Sequence, residues 1–369
     1  MRVAGPLAVT AAAAMLAARV TMTPLGQARS APQQARSKGL TDVAGIRVGH
    51  HTLTERPTGC TVVLADAEGA VGGVSQRGAA PGTRETDLLD PLNTVERVHA
   101  IVLTGGSAYG LDAAQGVVRY LEEKKIGFPI AGTVVPIVPA AVLMDLGFGG
   151  ASSVRPTADC GYRAATIAGT GAVEEGNVGA GAGATVGKIL GNRERAMKAG
   201  LGSASISLTS GLVVGAVVAV NAVGDVVDPT TGAVVAGVRT EDGTRLADAR
   251  VLLRSAPGSR GTGPRAAENT TIAVVATNAR LTKAEANRVA LMADDGLARA
   301  IYPAHTTADG DTVFALATGT WQGRADVTTI GALAADALSE AIVRAAVQAA
   351  SSGGLPAARD LGTVPQRFR

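Results

Sequence analysis

The composition and the apolar pattern of the sequence predict a layered α/β fold. Aromatic residues make up only 2% of the chain, so Ala, Val, Leu and Ile must fill the core. The 48 glycines indicate many tight turns and close backbone contacts. Alanine-rich helices that pack against a sheet suit such a layered design. A chain of 369 residues can bury a substantial core, in one large domain or two smaller ones.

The distribution of charge argues against a nucleic-acid partner. Net charge is +3 and the sequence pI is near 9.0, but lysines and arginines are scattered along the chain. No basic run is interleaved with aromatic residues, as nucleic-acid platforms require. We therefore expect no nucleic-acid partner.

The cysteines and histidines predict neither a disulfide framework nor a metal site. Cys60 and Cys160 lie beside apolar stretches, and a single pair of this kind favours two buried free thiols. His50 and His51 are neighbours in a strand-like segment and would point to opposite faces. The glycine turn at residues 104–110 has neither dinucleotide-binding nor P-loop spacing. No metal and no cofactor are expected.

Residues 1–37 differ in composition from the rest of the chain. A basic start, an apolar run and a small-polar segment follow one another in the order of a secretory signal. The apolar run is too short and too rich in alanine to predict a membrane span. The alternative is a disordered extension or a misassigned start. The chain is secreted or periplasmic in the first case and cytoplasmic in the second.

The remaining segments predict strands and helices that follow one another along the chain. The first half predicts paired strands at 61–66 and 70–75, a short helix within 81–89, a strand at 100–103, a glycine turn, a helix ending near 125 and a helix from Asp159. The second half predicts strands at 211–220 and 270–279, a helix from Thr282 to about Ile301, a strand at 312–319 and a long helix at 325–350. Thr282 and Glu285 predict a capping box. The tail after Ser351 is expected to be loose.

Asn269 and Thr270 form a polar pair directly before an apolar, β-branched run. Residues 254–267, rich in Gly, Pro, Ser and Arg, predict an exposed loop that ends at this pair. If the Thr270 hydroxyl cleaved the Asn269–Thr270 bond, the new chain would begin with a nucleophile. Its α-amine, with a pKa of roughly 7.7–8.0, would serve as the base. The plainer interpretation is a turn that enters a strand.

Four further polar residues follow glycine-rich or apolar runs. Lys188 ends a segment that holds five glycines, and Asn221 ends the strand predicted at 211–220. Asp309 and Asp311 flank a glycine before the next strand. Taken alone, these residues are a solvated lysine, a strand-end asparagine and two turn aspartates.

Together these segments resemble the L-aminopeptidase/D-esterase and nylon-oligomer hydrolase family, whose members cut themselves before a Ser or Thr that becomes an N-terminal nucleophile. A Pro-Gly-Thr-Arg-Glu-Thr segment at 81–86 is similar to one in the family, and the likeness runs from about residue 39 to residue 323. The resemblance implies a single αββα sandwich-like domain of the N-terminal-nucleophile kind. It also implies an α chain of residues 38–269, a β chain of 270–369 and a homo-oligomer of such pairs.

The resemblance implies a role for each polar residue. Asn221 donates to the oxyanion, and Lys188 lies beside the nucleophile and lowers the pKa of its amine. Asp309 and Asp311 orient Thr270 and balance the charge of Lys188. A tyrosine that some relatives contribute from the region of residues 129–150 has no counterpart here.

Two other cleavage positions are weaker candidates. Gly258–Ser259 resembles the cleavage pair of the aminopeptidase branch, but no strand follows it. Cleavage before Thr271 would place the nucleophile one residue further along the strand, on the opposite face. We therefore predict cleavage before Thr270.

We predict a self-processing amidohydrolase or aminopeptidase that acts on a small peptide, amide or ester through a Thr270 acyl-enzyme. Two alternatives stay open. An ornithine-type acetyltransferase of related architecture would pass the acyl group to an amine instead of water. An uncleaved, non-catalytic relative would only bind its ligand, which the missing tyrosine makes conceivable.

Overall fold

A computed structural model describes Met1 and residues 37–191, 193–255, 269–324 and 326–369. The proposed signal segment and the loop before Asn269 fall almost entirely on residues 2–36 and 256–268, outside the described part. Residues 37–369 pack as one unit. None of the helices described in this unit is long and apolar enough to cross a bilayer.

The strands of the described residues are numbered here in chain order. They are β1 Ile46–Thr52, β2 Gly59–Ala65, β3 Ala70–Gln76, β4 Thr83–Arg84, β5 Arg97–Val98, β6 Ala100–Thr104, β7 Phe128–Ile130, β8 Thr133–Val135, β9 Ala140–Val142, β10 Thr185–Val186, β11 Met197–Lys198, β12 Leu201–Ser207, β13 Val213–Asn221, β14 Asp225–Val227, β15 Val234–Ala236, β16 Thr270–Thr277, β17 Ile301–Tyr302 and β18 Thr312–Ala317. The helices are α1 Ala113–Glu123, α2 Ala158–Thr166, α3 Ala249–Ser255, α4 Lys283–Ala293, α5 Asp295–Ala300 and α6 Val327–Val347.

Two large sheets organise the chain. One has the strand order β1-β2-β6-β9-β4, and the other has the order β12-β13-β16-β18-β3-β5. Within the second sheet, β16 is antiparallel to β13 and parallel to β18. The strand predicted after Asn269 is therefore an inner strand of the larger sheet.

Three apolar cores separate four layers. Leu103 of the five-stranded sheet and Ile272 of the six-stranded sheet belong to the core between the sheets. Val275 packs with Leu338 of α6 on the outer face of the six-stranded sheet. Val117 of α1 belongs to the third core, on the outer face of the five-stranded sheet. The layer order is α, β, β, α, which confirms the predicted sandwich.

β16 alternates between two of these cores. Ile272 and Val274 face the other sheet, whereas Ala273 and Val275 face the helices. All residues of the strand are buried. The two-residue period therefore places Thr270 on the face directed towards the other sheet.

β2 and β3 do not pair, contrary to the predicted strand pair. β2 lies between β1 and β6, whereas β3 lies between β18 and β5 in the other sheet. The connection contains Gly69 at φ +72° and carries the chain from one layer to the next. Alternation of apolar residues indicates a strand, but it does not identify the strand's partner.

Cys60 and Cys160 form a disulfide, so the expectation of two free thiols is wrong. The bond joins β2 to α2, which are separated by 100 residues in sequence. The two cysteines meet because α2 packs on β1 and β2. The sequence could not indicate this contact, since it depends on the packing of a helix on a distant strand.

The tail after α6 is docked and not loose. Ala358 is fully buried. The Thr363 hydroxyl donates to the carbonyl oxygen of Val235 at 2.6 Å, and Arg367 forms an ion pair with Asp228 at 2.8 Å. The expectation of a loose tail is therefore wrong. The sequence could not indicate these contacts, because single contacts with distant residues produce no periodic pattern.

The helices differ from the prediction in detail. The capping box of Thr282 and Glu285 is confirmed. The helix expected to reach about Ile301 divides at Asp294 into α4 and α5. The segment at 81–89 forms β4 and a single 3-10 turn, Thr86–Leu89, where a short helix was expected.

Candidate active site

Thr270 is the first residue of β16 and pairs directly with Asn221, the last residue of β13. Its side chain is buried, and its hydroxyl donates to the carbonyl oxygen of Asn269. The backbone N–H of Gly310 donates to the same oxygen at 3.0 Å. The peptide group that precedes Thr270 is therefore held between the threonine hydroxyl and a backbone donor.

Gly310 lies so close to this peptide group that a side chain at position 310 would collide with its neighbours. A Cβ atom at Gly310 would lie 2.4 Å from the carbonyl oxygen of Ala80 and 2.9 Å from the Thr270 hydroxyl oxygen. Asp309, its neighbour, forms an isolated parallel bridge with Asn269 and accepts the N–H of Ala80 on its carbonyl oxygen at 2.9 Å. The turn that precedes β18 thus lies directly against the peptide bond between Asn269 and Thr270.

The Asn221 side chain is held on both its oxygen and its nitrogen. Its Oδ1 accepts from Lys188 Nζ at 2.7 Å and from the Thr185 N–H at 3.1 Å. Its Nδ2 donates to the carbonyl oxygen of Met144 at 3.0 Å. Because an ammonium group can only donate, Lys188 fixes which end of the amide is the oxygen. The Lys188 ammonium also donates to the Asn221 carbonyl oxygen at 3.2 Å.

The two aspartates bind backbone N–H groups around the Asn269–Thr270 pair. Asp311 Oδ1 accepts the N–H of Thr271 at 2.8 Å. Asp309 Oδ1 accepts the N–H of Val223 at 3.2 Å, and its Oδ2 accepts the N–H of Thr306 at 3.0 Å. The side chains of Lys188, Asn221, Thr270, Asp309 and Asp311 are all buried in this part of the fold. The structure thus brings the predicted residues together.

Burial raises the pKa of Asp309, and the negative charge of Asp311 raises it further. Hydrogen bonds from Thr306 and Val223 act in the opposite direction but do not cancel the rise. A buried carboxyl group beside a second acidic side chain favours a nearby cation. This environment suits a site in which an ammonium group forms beside them.

The segment that lacks the tyrosine is anchored next to Asn221. Met144 supplies the carbonyl oxygen that binds the Asn221 amide, and Asp145 follows it. Asp145 forms a fully buried ion pair with Arg56 at 2.9 Å and accepts from the Thr58 hydroxyl at 2.6 Å. The main chain of this segment therefore positions the asparagine.

A cavity of about 200 Å³ opens beside this cluster. Its lining includes Met144, Thr185 and Lys188, each of which is hydrogen-bonded to Asn221. Phe148 and Leu355 add apolar surface. A larger open groove of about 750 Å³ shares Leu355 but touches none of the predicted site residues. The smaller cavity is therefore the candidate substrate pocket.

Three residues of the site escaped the sequence analysis. Gly310 stood out only as the residue between two turn aspartates, and no local pattern singled out His305 or Asp294. His305 and Asp294 lie close to Asp311 in space. The spacing of a histidine six residues before Asp311 is the one available signal, whereas Asp294 belongs to a distant helix boundary.

The sequence matches the model of peptidase family S58 over residues 38–359. It is 46% identical over 350 residues to an uncharacterized aminopeptidase of Mycobacterium leprae, covering 87% of this chain and 93% of the relative. It is 32% identical over 323 residues to a 6-aminohexanoate-oligomer endohydrolase of a Kocuria species, covering 83% of this chain and 85% of that protein.

Two solved structures show the same fold. A Burkholderia β-aminopeptidase has a TM-score of 0.65 and 24% identity, covering 90% of this chain and 94% of that chain. The L-aminopeptidase D-Ala-esterase/amidase of Ochrobactrum anthropi, described as a variant of the Ntn-hydrolase fold, has a TM-score of 0.66 and 20% identity, covering 89% and 92%. The chain therefore belongs to peptidase family S58 and is an aminopeptidase-like hydrolase with an Ntn-hydrolase fold.

Proposed function

We propose that this chain cleaves itself between Asn269 and Thr270 and then uses Thr270 as an N-terminal nucleophile to hydrolyse amide bonds. The observation that carries the proposal is the position of the Asn269 carbonyl group. Its oxygen accepts from the Thr270 hydroxyl and from the Gly310 N–H. A nucleophile and an oxyanion donor therefore already lie on the bond to be cut.

The self-cleavage step is an acyl shift from nitrogen to oxygen. Thr270 Oγ1 attacks the Asn269 carbonyl carbon. The Gly310 N–H, with the Nδ2 of Asn221 as the second proposed donor, stabilises the charge that develops on the carbonyl oxygen. The C–N bond breaks and its nitrogen, now the α-amine of Thr270, takes the proton. Water then hydrolyses the ester and leaves Asn269 as a carboxylate at the end of the α chain.

The mature site repeats this chemistry on a substrate. The α-amine of Thr270 accepts the hydroxyl proton as Oγ1 attacks the substrate carbonyl carbon, and it returns the proton to the leaving amine. The N–H of Gly310, released from Asn269, and the Nδ2 of Asn221 are the donors proposed for the oxyanion. Water finally cleaves the acyl-enzyme and regenerates the hydroxyl.

Lys188 and the two aspartates set the charge around the amine. The Lys188 ammonium holds Asn221, which pairs with Thr270, so its positive charge disfavours a second cation nearby. Asp309 and Asp311 stabilise the ammonium that forms during proton transfer. We propose that these opposing charges keep the amine mostly unprotonated at rest while allowing it to accept a proton.

The substrate is a small peptide or amide that places one residue in the smaller cavity. A cavity of about 200 Å³ holds little more than a single amino-acid unit. Since a 6-aminohexanoate-oligomer endohydrolase is among the relatives, linear ω-amino-acid amides belong in the substrate panel beside peptide amides. Assembly into a homo-oligomer of αβ pairs is part of the same proposal.

Intact mass spectrometry of the purified protein tests the proposal. We expect the wild type to separate into two fragments, the smaller of which begins at Thr270. Thr270→Ala is expected to stay whole and inactive. Thr271→Val is the matched control, because the buried Thr271 hydroxyl has no hydrogen-bond partner among the described residues and its loss should leave cleavage intact.

The outcomes separate the competing functions. An intact wild type that hydrolyses peptide amides would refute the mechanism, and an intact, inactive one would favour the non-catalytic alternative. A cleaved protein that releases product only when an amine acceptor is added would favour acyl transfer over hydrolysis.

A further inference from the structure

His305 lies between two acidic side chains behind the nucleophile strand. Its Nδ1 is 3.0 Å from Asp311 Oδ2, and its Nε2 is 3.6 Å from Asp294 Oδ1. The backbone N–H of His305 also donates to Asp311 Oδ2 at 3.0 Å. His305 has φ +55°, a left-handed conformation that a residue with a Cβ seldom adopts. The backbone of His305 is thus held in a constrained conformation, which places each ring nitrogen near a carboxylate oxygen.

Asp294 continues this chain of polar groups away from the site. It is fully buried, and its Oδ2 accepts from the Ser75 hydroxyl at 2.6 Å. Among the described residues no group donates a hydrogen bond to its Oδ1, which lies 3.6 Å from the Nε2 of His305. Arg77, which is partly exposed, lies 3.7 Å from Oδ2.

We propose that His305 is a positioning residue that couples Asp311, and through it the nucleophile strand, to the buried carboxyl group of Asp294. The connection runs from the Thr271 N–H to Asp311, then to the imidazole and on to Asp294. The inference rests on the proposed function, because it assigns the network to the control of the Thr270 amine.

The imidazole matters because the site would otherwise be strongly acidic. Asp311, Asp309 and Asp294 place three carboxyl groups behind one amine. A positive charge on His305 offsets one of them, next to the carboxyl group of Asp311 that accepts the Thr271 N–H. Without that charge, the amine would hold its proton more tightly and would need a higher pH to act as a base.

The environment of His305 supports a positive charge. Burial lowers its pKa, but the close contact with Asp311 and the charge of Asp294 raise it by more, so the net shift is upward. The charged groups that face the ring are Asp294, Asp311 and Arg77, and of these only Arg77 opposes protonation.

His305→Gln tests the coupling through the pH dependence of kcat/KM for a peptide amide, measured on fully processed enzyme. The acid limb is expected to move to higher pH by about half a unit or more, with activity recovering at high pH. A residue that merely held the loop would lower activity equally at every pH. An acid limb that coincides with the wild type would overturn the inference. His51→Gln is the matched control, since its ring lies outside this network.

A second measurement does not require turnover. NMR titration of ¹³C-labelled histidine follows the four rings of the chain in the wild type and in Asp294→Asn. We expect the asparagine variant to lower the pKa of His305 and to leave the other three rings unchanged. An unchanged His305 titration would overturn the coupling even if His305→Gln failed to fold.

These results also separate this inference from the proposed function. A wild type that stays whole refutes the Thr270 mechanism and leaves the NMR result to decide the coupling alone. A wild type that is cleaved and active, with both His305 tests negative, refutes only the coupling.

Discussion

Asn221 and Thr270 face each other as the last residue of β13 and the first residue of β16. The pairing places a side-chain amide beside the start of the strand that carries the proposed nucleophile. Because both strands are inner strands of a buried sheet, neither residue can shift without disturbing the ladder. The candidate active site is therefore attached to two inner strands of a buried sheet.

Asn221→Asp should remove the oxyanion donor while keeping the shape of the side chain. The carboxylate can still accept from Lys188 and Thr185 but can no longer donate through Nδ2. We expect the rates of self-cleavage and of amide hydrolysis to fall by about 10²–10³-fold. A time course of fragment appearance after synthesis, combined with an amidase assay, measures both rates.

Asn177→Asp is the control for this substitution, since its amide binds the Ala350 carbonyl oxygen. It should process at the wild-type rate. Wild-type cleavage in Asn221→Asp would show that the charge on the oxyanion is stabilised by other groups.

Gly310→Ala should block self-cleavage by steric conflict. The added Cβ would press on the Ala80 carbonyl oxygen and on the Thr270 hydroxyl oxygen, and any relief would move the N–H away from Asn269. We expect cleavage to slow by at least about 10²-fold, the typical effect of losing one oxyanion donor. The ratio of whole to cleaved chain on a denaturing gel reports the result.

Gly171→Ala provides the matched glycine control, because a Cβ there would meet no atom of the described part of the chain within 4 Å. Equal cleavage of the two alanine variants would exclude the Gly310 N–H from the reaction.

Leu355→Trp should obstruct the smaller cavity without slowing self-cleavage. Leu355 lies in the docked tail and lines both the small cavity and the open groove. A larger ring at this position would exclude substrate, so KM for peptide amides should rise by about tenfold or more, which corresponds to a loss of roughly 1.4 kcal/mol of binding. Steady-state kinetics on the cleaved enzyme measures the change.

Val364→Ala is the companion variant, because Val364 packs on the core from the same tail without lining either space. It should lower stability and leave KM unchanged. If Leu355→Trp retained the wild-type KM for every substrate in the panel, the small cavity would not be the substrate pocket.

The periodic features of the chain could be predicted from its sequence. The apolar run after Thr270 indicated a buried strand, and Thr282 with Glu285 indicated a capped helix start. Such local signals arise from side-chain spacing and from backbone hydrogen bonds at element ends. The residues proposed for the site lie at the ends of these elements or in glycine turns, so they could also be identified from the sequence.

The features that the sequence could not indicate depend on contacts between distant segments. The Cys60–Cys160 bond requires that α2 pack on β2, and the position of β3 in the second sheet requires a crossing between layers. Asp294 approaches His305 only because α4 packs on β3 and β18. No periodic pattern in the sequence indicates such contacts, although they determine which charged groups lie near Thr270.

Asp225 gives a prediction about stability and pH that does not involve the candidate active site. It is the first residue of β14, and burial raises its pKa to about 6, although the N–H groups of Ala249 and Val238 act in the opposite direction. The ordinary value is 3.8, so between these two pH values the folded chain holds more protons than the unfolded chain. The contribution of this carboxyl group to the free energy of unfolding therefore falls as pH rises through that window.

Asp225→Asn removes this titration. The variant should lose stability at low pH because it cannot accept both N–H groups, at 2.8 Å from Val238 and 2.7 Å from Ala249. Its deficit relative to the parent should shrink by about 2 kcal/mol between about pH 4 and about pH 7. Urea unfolding in the uncleaved Thr270→Ala background measures this difference on a single chain.

Asp242→Asn is the control for this substitution. The Thr240 hydroxyl and the N–H of Thr244 lower the pKa of Asp242 to about 2, so that group should stay ionised over most of the same pH range. A deficit of Asp225→Asn that stayed constant with pH would show that this buried carboxyl group is already ionised at acidic pH.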